Sequence, residues 1–190
     1  MSNRDQKTFY REQLARYGTC AEGVGWQSSR TQRRRFAVIE KAIGSLSGLY
    51  VADAGCGLGD FLLYLRDRGN TPARYLGLEL LPELVEEAGR RTRAEIRRCD
   101  ILADRLPAAD WYLCSGTMNR LSPLETRLFI RRCWEASRKG FVFNLLEGRR
   151  ASDGFTRHRS REILGYCRSL GARTRLIDDY LEGDFTIVMR

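Results

Sequence analysis

A glycine-rich turn at residues 51–61 constrains the fold more than any other stretch of the chain. It reads VADAGCGLGDF, so that an apolar segment passes through Gly55, Gly57 and Gly59 into a second apolar run. This order predicts a buried strand that opens through a tight turn into a helix. Such a turn directs backbone N–H groups and the positive end of a helix dipole towards one cavity. We therefore expect a polar ligand to lie very near the main chain there.

The spacing of these glycines distinguishes two kinds of nucleotide site. Dinucleotide turns follow G-x-G-x-x-G, whereas this chain has G-x-G-x-G with Asp53 two positions before the first glycine. The stretch resembles motif I of the class I S-adenosylmethionine-dependent methyltransferases. That resemblance implies that Asp53 lies near the amino-acid end of the cofactor, and that the turn wraps its methionine portion (Gly55, Cys56, Gly57 and Gly59). A nicotinamide-dependent dehydrogenase is the alternative, which the glycine spacing and the lack of room for a second domain disfavour.

Length and composition indicate one globular domain over residues 1–190, because 43% of the residues are hydrophobic and 30% are charged. No apolar run approaches the roughly 20 residues of a membrane helix, and the first six residues are polar, unlike an export signal. We therefore expect a cytoplasmic protein without a membrane partner.

The side chains that bind metals are scarce. One histidine and six cysteines without a C-x-x-C pair predict no metal site and free thiols. The net charge is +9, and arginine accounts for all but three of the 33 basic residues. This excess of arginine has two alternative explanations. One is the base composition of the gene, and the other is attraction of the protein to an anionic substrate or nucleic acid. Charge alone does not separate the two explanations.

Hydrophobic periodicity alternates between strands and helices from residue 49 onward, which predicts a mostly parallel sheet with helices on both faces. The predicted strands cover 49–53, 74–79, 95–101, 110–115, 141–146, 174–180 and 185–189. Helices are predicted over 60–68, from Pro82, after a capping box at Ser122 and Glu125, and around Ile163. An earlier helix begins at Ser28 or Ser29 and carries the apolar stripe Phe36, Ile39, Ile43 and Leu46.

The family resemblance implies the architecture that these elements form. It is a three-layer αβα sandwich whose seven-stranded sheet is parallel except for a C-terminal antiparallel hairpin strand. Residues 1–48 are predicted to form an N-terminal helical lid, and residues 49–190 the cofactor-binding core.

Ligands of open α/β sheets bind at the carboxyl ends of the strands, so the last residue of each strand is a candidate. The resemblance implies that Glu79 binds both ribose hydroxyls, with Leu80 against the adenine. It places Asp100 at the adenine amino group beside Ile101, and Ser115 and Gly116 where the sulfonium passes. A surface role for Glu79 and a strand-terminating role for Asp100 are the alternatives.

The stretch after the fourth strand, SGTMN, lacks the Asn/Asp-Pro-Pro-Tyr/Phe motif of enzymes that methylate exocyclic amines. Methyl transfer from a sulfonium needs mainly a well-positioned nucleophile, so a missing catalytic motif is no objection. His158 is the one candidate general base, and a solvated loop histidine is the alternative interpretation.

The N-terminal segment is aromatic and basic. Tyr10, Tyr17 and Trp26 are candidates to cover the cofactor, and Arg35 to pair with its carboxylate; ordinary packing of this segment on the sheet is the alternative. Arginines also crowd the loop before the last helix, at positions 149, 150, 157, 159 and 161. They favour an anionic substrate or a phosphate backbone, unless they form only a solvated surface.

We therefore predict an S-adenosylmethionine-dependent methyltransferase, similar to small bacterial members of unassigned substrate. The methyl acceptor is predicted to be an O or N nucleophile of a small molecule, which the arginine-rich loop suggests is anionic. An RNA methyltransferase and a non-catalytic, cofactor-binding regulatory or partner protein are the alternatives. The sequence leaves the oligomeric state, monomer or homodimer, open.

Overall fold

The computed structural model describes residues 8, 11–13, 15–19, 23, 28–148 and 154–190. From residue 28 onward its helices are α1 (Ser29–Ile43), α2 (Asp60–Asp67), α3 (Pro82–Thr92), α4 (Pro123–Ala136) and α5 (Ser160–Ser169). Its strands are β1 (Tyr50–Ala54), β2 (Arg74–Glu79), β3 (Glu95–Arg98), β4 (Ala109–Cys114), β5 (Ser137–Leu146), β6 (Thr174–Ile177) and β7 (Asp184–Met189). A 3₁₀ turn, Thr117–Arg120, follows β4.

The seven strands form one sheet in the order β3-β2-β1-β4-β5-β7-β6. All neighbouring strands are parallel except β7, which runs antiparallel to both β5 and β6. The predicted αβα fold with one reversed hairpin strand is confirmed. Chain order reverses between β1 and β4, so the carboxyl ends of these strands diverge into a crevice.

Alternating side chains of the strands face two different hydrophobic clusters. Val51 packs with apolar residues of α1 and α2, whereas Ala52 and Ala54 face a cluster that includes α4 and α5. Because side chains alternate along a strand, both faces of β1 are apolar and both are covered by helices. This burial on both faces explains why the strands before the site are nearly continuous apolar runs.

Several element boundaries differ from the sequence prediction. β5 begins at Ser137 rather than at residue 141, because its pairing with β4 starts at Ala109. The exposed Arg138 and Lys139 hide this beginning in the sequence. β3 and β6 are shorter than predicted and end at Arg98 and Ile177.

Helix α1 is part of the packed core. Ser28 caps it by accepting a hydrogen bond from the Thr31 amide at 3.3 Å, as the sequence predicted. The predicted stripe packs against the sheet, although Leu46, which is fully buried, follows the end of the helix. Three contacts tie α1 to the last strands: Arg34 Nε to the Tyr180 carbonyl, Arg35 to Asp184, and Arg190 Nη2 to the Ala42 carbonyl. These contacts hold α1 against the sheet. The part of residues 1–48 that could form a lid therefore excludes α1.

Within the described part of the chain, no helix has the length and apolar character that crossing a bilayer requires. The five cysteines described there are buried free thiols.

Candidate active site

A cleft of about 1180 Å³, its mouth included, opens at the carboxyl ends of β1, β2 and β4. Eleven of the residues singled out from the sequence line it: Arg35, Asp53, Gly55, Cys56, Gly57, Glu79, Leu80, Asp100, Ile101, Ser115 and Gly116.

The glycine turn is fastened to its neighbours by backbone hydrogen bonds. The amides of Gly55 and Cys56 donate to the Leu78 carbonyl at 2.8 and 3.1 Å. Gly55 has φ = +80°, and a Cβ built there would lie 2.1 Å from Thr117 Oγ1. That hydroxyl in turn donates to the Gly55 carbonyl at 3.0 Å. Glycine is therefore required at position 55 both by its backbone angle and by the approach of the 3₁₀ turn.

Gly59 has a different role from the one that its place in the motif predicted. It does not line the cleft but is the N-cap of α2, with φ = +77°. A Cβ there would lie 2.4 Å from Thr92 Cγ2, at the end of α3. Gly59 thus allows α2 and α3 to pack closely.

Asp53 holds a carboxylate at the bottom of the cleft, where only 3% of the residue is exposed. The Tyr75 hydroxyl donates to Asp53 Oδ2 at 2.7 Å. Burial raises the pKa of Asp53 to about 7, the Tyr75 hydrogen bond opposes this rise, and the charge of Glu79 adds to it. The carboxyl group is therefore half-protonated near neutral pH.

Glu79 joins the glycine turn to the loop after β2. Its Oε2 accepts from the Gly57 amide at 3.0 Å, and its Oε1 accepts from the amides of Leu80 and Leu81 at 2.7 and 3.1 Å. Burial raises the pKa of Glu79, against the lowering effect of these three donors. Among the described residues, no arginine or lysine forms an ion pair with Glu79 or Asp53. Two buried carboxylates without a basic partner fit a ligand that brings positive charge and hydrogen-bond donors.

Asp100 lies two residues after the end of β3. It lines the cleft, and its Oδ1 accepts from the Leu102 amide at 2.9 Å. Its own amide donates to Asp104 Oδ2 at 2.8 Å, so the loop after β3 is held in a fixed turn.

Ser115 begins a chain of hydrogen bonds that runs away from the cleft. Its hydroxyl donates to Asn144 Oδ1 at 2.6 Å, and Asn144 Nδ2 donates to Thr186 Oγ1 at 2.9 Å. Thr186 then contacts the Tyr180 hydroxyl at 2.9 Å. Because the only proton of the Ser115 hydroxyl is used by Asn144, this side chain presents lone pairs to the cleft.

Arg35 lines the cleft, but its guanidinium forms a two-pronged pair with Asp184. Nε and Nη2 each lie 2.6 Å from one carboxylate oxygen, and both side chains are mostly buried. In this structure the carboxylate that Arg35 holds is therefore one of the protein's own, on β7, rather than the ligand carboxylate predicted from the sequence.

His158 does not line the cleft, against the sequence-based suggestion of a general base. It is buried because a backbone bridge pairs it with Glu147, and its Nε2 lies 3.4 Å from Thr126 Oγ1 on α4. Burial lowers its pKa, and the charge of Arg127 lowers it further. The alternative interpretation of a solvated loop histidine is wrong, because His158 packs inward behind the end of β5. Four other candidates lie outside the described residues: Tyr10, Trp26, Arg149 and Arg150. The side chain of Tyr17 is exposed.

Comparisons with known proteins agree with this geometry. Residues 51–140 match a family model described as a methyltransferase domain. A magnesium protoporphyrin IX methyltransferase from Synechocystis, solved with bound S-adenosylmethionine, has a TM-score of 0.72 at 17% identity, over 97% of each chain. The chain has the class I methyltransferase fold.

Two further structures show the same methyltransferase architecture. The complex of DhpI with S-adenosylhomocysteine has a TM-score of 0.74 at 16% identity, over 98% of this chain and 95% of that one. A complex of the Haloferax volcanii Trm112 methyltransferase activator with a methyltransferase has a TM-score of 0.66 at 17% identity, over 84% and 91%. No curated protein sequence matches the chain. The resemblance inferred from the glycine turn is confirmed, and the findings support the S-adenosylmethionine-dependent methyltransferase family.

Sequence reasoning missed several residues of the cleft. Gln32, Asn119, Leu121, Phe129 and Phe155 also line it. Asn119 follows the recognised strand end by four positions, and that adjacency is the one signal that pointed to it. Phe155 gave no signal, because a single aromatic residue in a polar loop is compatible with any surface.

Proposed function

We propose that this protein binds S-adenosylmethionine in the cleft and transfers its methyl group to an O or N nucleophile of a small molecule. The observation that carries the proposal is the pair of buried carboxylates, Asp53 and Glu79, on a glycine turn without a described basic partner. S-adenosylmethionine has a sulfonium, an ammonium and two ribose hydroxyls, and so supplies the positive charge and the donors that these carboxylates need.

The residues of the chain bind and orient the cofactor in this proposal. Asp53 lies near its amino-acid end, and the one lone pair that remains on Glu79 Oε2 receives a ribose hydroxyl. Leu80 and Ile101 contact the adenine. Asp100 accepts a hydrogen bond from the adenine amino group. Ser115 and Gly116 flank the reactive centre. The cofactor supplies an already activated methyl group, so the protein's main task is to hold the nucleophile in line with the leaving sulfur.

The arginine-rich loop gives little support to an anionic acceptor. Arg157 donates to the Glu147 carbonyl at 3.3 Å, and Arg159 pairs with Glu162. Neither arginine lines the cleft. We therefore propose a small acceptor, without a requirement for negative charge. We also propose that the lid is confined to the residues before Ser29, including Trp26, in a single domain that spans the chain.

Calorimetric titration with S-adenosylhomocysteine tests the cofactor assignment. Glu79→Ala and Gly57→Val should each weaken binding at least tenfold, because a charged hydrogen-bond acceptor is worth about 1.5–3 kcal/mol. Glu135→Ala is the matched control, since that side chain is 65% exposed on α4. Absence of binding by the wild-type protein, or equal affinity of wild type and Glu79→Ala, would refute the assignment.

The net charge of +9 favours RNA as the second candidate acceptor. Transfer of a labelled methyl group to total RNA, together with RNA affinity that falls steeply as salt is raised, would select it over a small molecule. Cofactor binding with no turnover on either small molecules or RNA would select the non-catalytic alternative.

A further inference from the structure

Basic side chains from four different elements lie together at one corner of the sheet. Arg175 lies in the edge strand β6, Arg173 just before it, and Arg190 just after β7. Lys41 lies in the last turn of α1, and Arg138 near the beginning of β5. All five residues are exposed. We name this set the basic corner.

The strand register places the arginines of β6 on the face of the sheet that α1 covers. Arg175 pairs with Val188, which packs in the same hydrophobic cluster as α1. Directly paired residues of neighbouring strands project to the same face. Arg173 and Arg190 exchange both backbone hydrogen bonds, at 2.8 and 2.9 Å, and therefore share a face as well.

Arg190 connects these strands to the end of α1. Its Nη2 donates to the Ala42 carbonyl at 3.0 Å, and its guanidinium lies 5.3 Å from the centroid of the Trp111 ring. Trp111 belongs to the hydrophobic cluster on the α1 face. Lys41 precedes Ala42 and therefore lies beside Arg190, so the helix and the two strands present their cations side by side.

The neighbouring acidic side chains do not neutralise the basic corner. Each of them pairs with a cation outside it: Glu40 with Arg68, Asp110 with Lys139, and Glu135 with Arg131. Among the described residues, no acidic side chain forms an ion pair with a member of the corner. The carboxylate at the end of the sequence, on Arg190, offsets one of the five positive charges. The corner therefore retains a strong positive charge.

We propose that the basic corner binds the phosphodiester backbone of a nucleic acid. Guanidinium groups donate to phosphate oxygens in pairs, and four of the five cations are arginines. Arg173 and Arg175 are about 7 Å apart along the strand, so the corner presents repeated cations to a repeated anion. An anionic membrane or an acidic protein fits less well, because both usually require apolar anchors. The large exposed hydrophobic residues of the described chain, Tyr17 and Leu124, belong to other elements.

A protective role for the edge strand explains only part of the basic corner. Charged side chains on an edge strand discourage pairing with another sheet. This role accounts for Arg173 and Arg175. It does not account for Lys41 on a helix or for Arg138 on β5, which is an internal strand of the sheet.

The basic corner and the cleft lie at opposite ends of the sheet. Arg190 is six residues along the chain from Asp184, whose partner Arg35 lines the cleft, and in an extended strand this separation is about 20 Å. A nucleic acid bound at the corner leaves the cleft open. The inference therefore does not rest on the proposed methyltransferase function.

Two matched triple variants test the location of binding. The corner variant combines Lys41→Glu, Arg173→Glu and Arg175→Glu. The control variant combines Arg30→Glu, Arg105→Glu and Arg161→Glu, at exposed positions that form no ion pair with described residues. Each triple variant lowers the formal net charge from +9 to +3. The two proteins therefore differ in where the charge is lost and not in how much.

Fluorescence anisotropy with labelled oligouridylate and oligothymidylate, at several salt concentrations, measures the affinities. The logarithm of the wild-type association constant should fall with the logarithm of salt concentration with a slope of about −3 to −4, for about five phosphate contacts. The corner variant should bind at least tenfold more weakly, and its slope should be smaller by about 2 because three contacts are lost. The control variant should keep the wild-type slope. The tighter of the two probes identifies the nucleic acid.

Several outcomes would overturn the proposal. They are the absence of binding to either probe at low salt, equal losses in the two triple variants, and tighter binding of polyglutamate or phosphatidylserine vesicles than of both oligonucleotides. S-adenosylhomocysteine should bind the corner variant with wild-type affinity, which also reports that this variant is folded. Failure of the wild type to bind S-adenosylhomocysteine would refute the proposed function and leave this inference standing.

Ultraviolet cross-linking of the wild-type protein to oligouridylate gives a readout that needs no variant. Mass spectrometry of the digested complex should find cross-linked peptides from residues 36–43 and 172–177. Cross-links confined to other segments would contradict the assignment of the basic corner.

Discussion

The affinity for S-adenosylmethionine should rise with pH through the titration of Asp53. Burial holds the pKa of this carboxyl at about 7 in the ligand-free protein. A cationic ligand binds the charged form, so below this pH a proton must leave Asp53 before the ligand binds. The fraction of charged carboxylate is about one-eleventh at pH 6 and about ten-elevenths at pH 8. We therefore expect the Kd to fall about tenfold between these values, which corresponds to about 1.4 kcal/mol.

Calorimetric titrations at pH 6, 7 and 8, in buffers of different ionisation enthalpy, measure both this Kd and the protons released. About half a proton should be released at pH 7. Asp53→Asn should bind more weakly and without pH dependence. Tyr75→Phe should shift the midpoint to higher pH, because the Tyr75 hydrogen bond lowers the pKa of Asp53. A wild-type Kd that is constant from pH 6 to 8, or an unchanged slope in Asp53→Asn, would refute this reasoning.

The same carboxyl group links pH to the stability of the ligand-free protein. Its pKa is raised above the unfolded value of 3.8, so the folded state binds the extra proton between the two values. Stability should therefore fall as pH rises from about 4 to about 7, by at most about 1.4 kcal/mol per pH unit. Asp53→Asn should remove this contribution and should be more stable than the wild type at pH 8. Urea unfolding of both proteins at about pH 4 and at pH 8 would measure the difference.

Two further substitutions test the frame of the cleft. Gly55→Ala should lower the free energy of unfolding by about 2–5 kcal/mol in urea, because of its positive φ and its clash with Thr117. Gly69→Ala, with φ = +67° and open space around it, should lower it by only about 1–2 kcal/mol. Equal losses in the two variants would contradict the clash. Arg35→Met should lose about 3–5 kcal/mol because it leaves the buried Asp184 unpaired, and adding Asp184→Leu should restore most of the stability. A double variant as unstable as the sum of the two single variants would show that the two side chains are not coupled and would contradict this reasoning.

The elements and the general position of the site could be predicted because both depend on local patterns. β2 has the predicted bounds, and the capping box at Ser122 and Glu125 forms as expected. The carboxyl ends of the strands converge on one cleft because parallel connections leave no other arrangement. Asp53 was singled out by its place two positions before the first glycine of the turn, and Glu79 by its place at the end of β2.

The remaining features depend on contacts between distant parts of the chain. The partner of Arg35 is Asp184, and no local pattern relates positions 149 residues apart. The inward packing of His158 depends on its bridge with Glu147, which the polar loop sequence does not indicate. Asn119 was missed because its place in the cleft depends on how the 3₁₀ turn after β4 folds against the glycine turn.

The position of β7 relates the formation of the cleft to the order in which the chain is synthesised. This strand lies between β5 and β6 and carries Asp184, the partner of Arg35 in α1. At roughly 5–20 residues per second, a ribosome needs roughly 7 to 30 seconds to proceed from residue 35 to residue 184. Throughout that interval the guanidinium at the cleft has no carboxylate to hold, and from the completion of β5 at Leu146 onward that strand has an unpaired edge. The nascent chain therefore acquires a complete ligand site only after residue 189 has left the ribosome, and until then it exposes a sheet edge that chaperones or aggregation can reach.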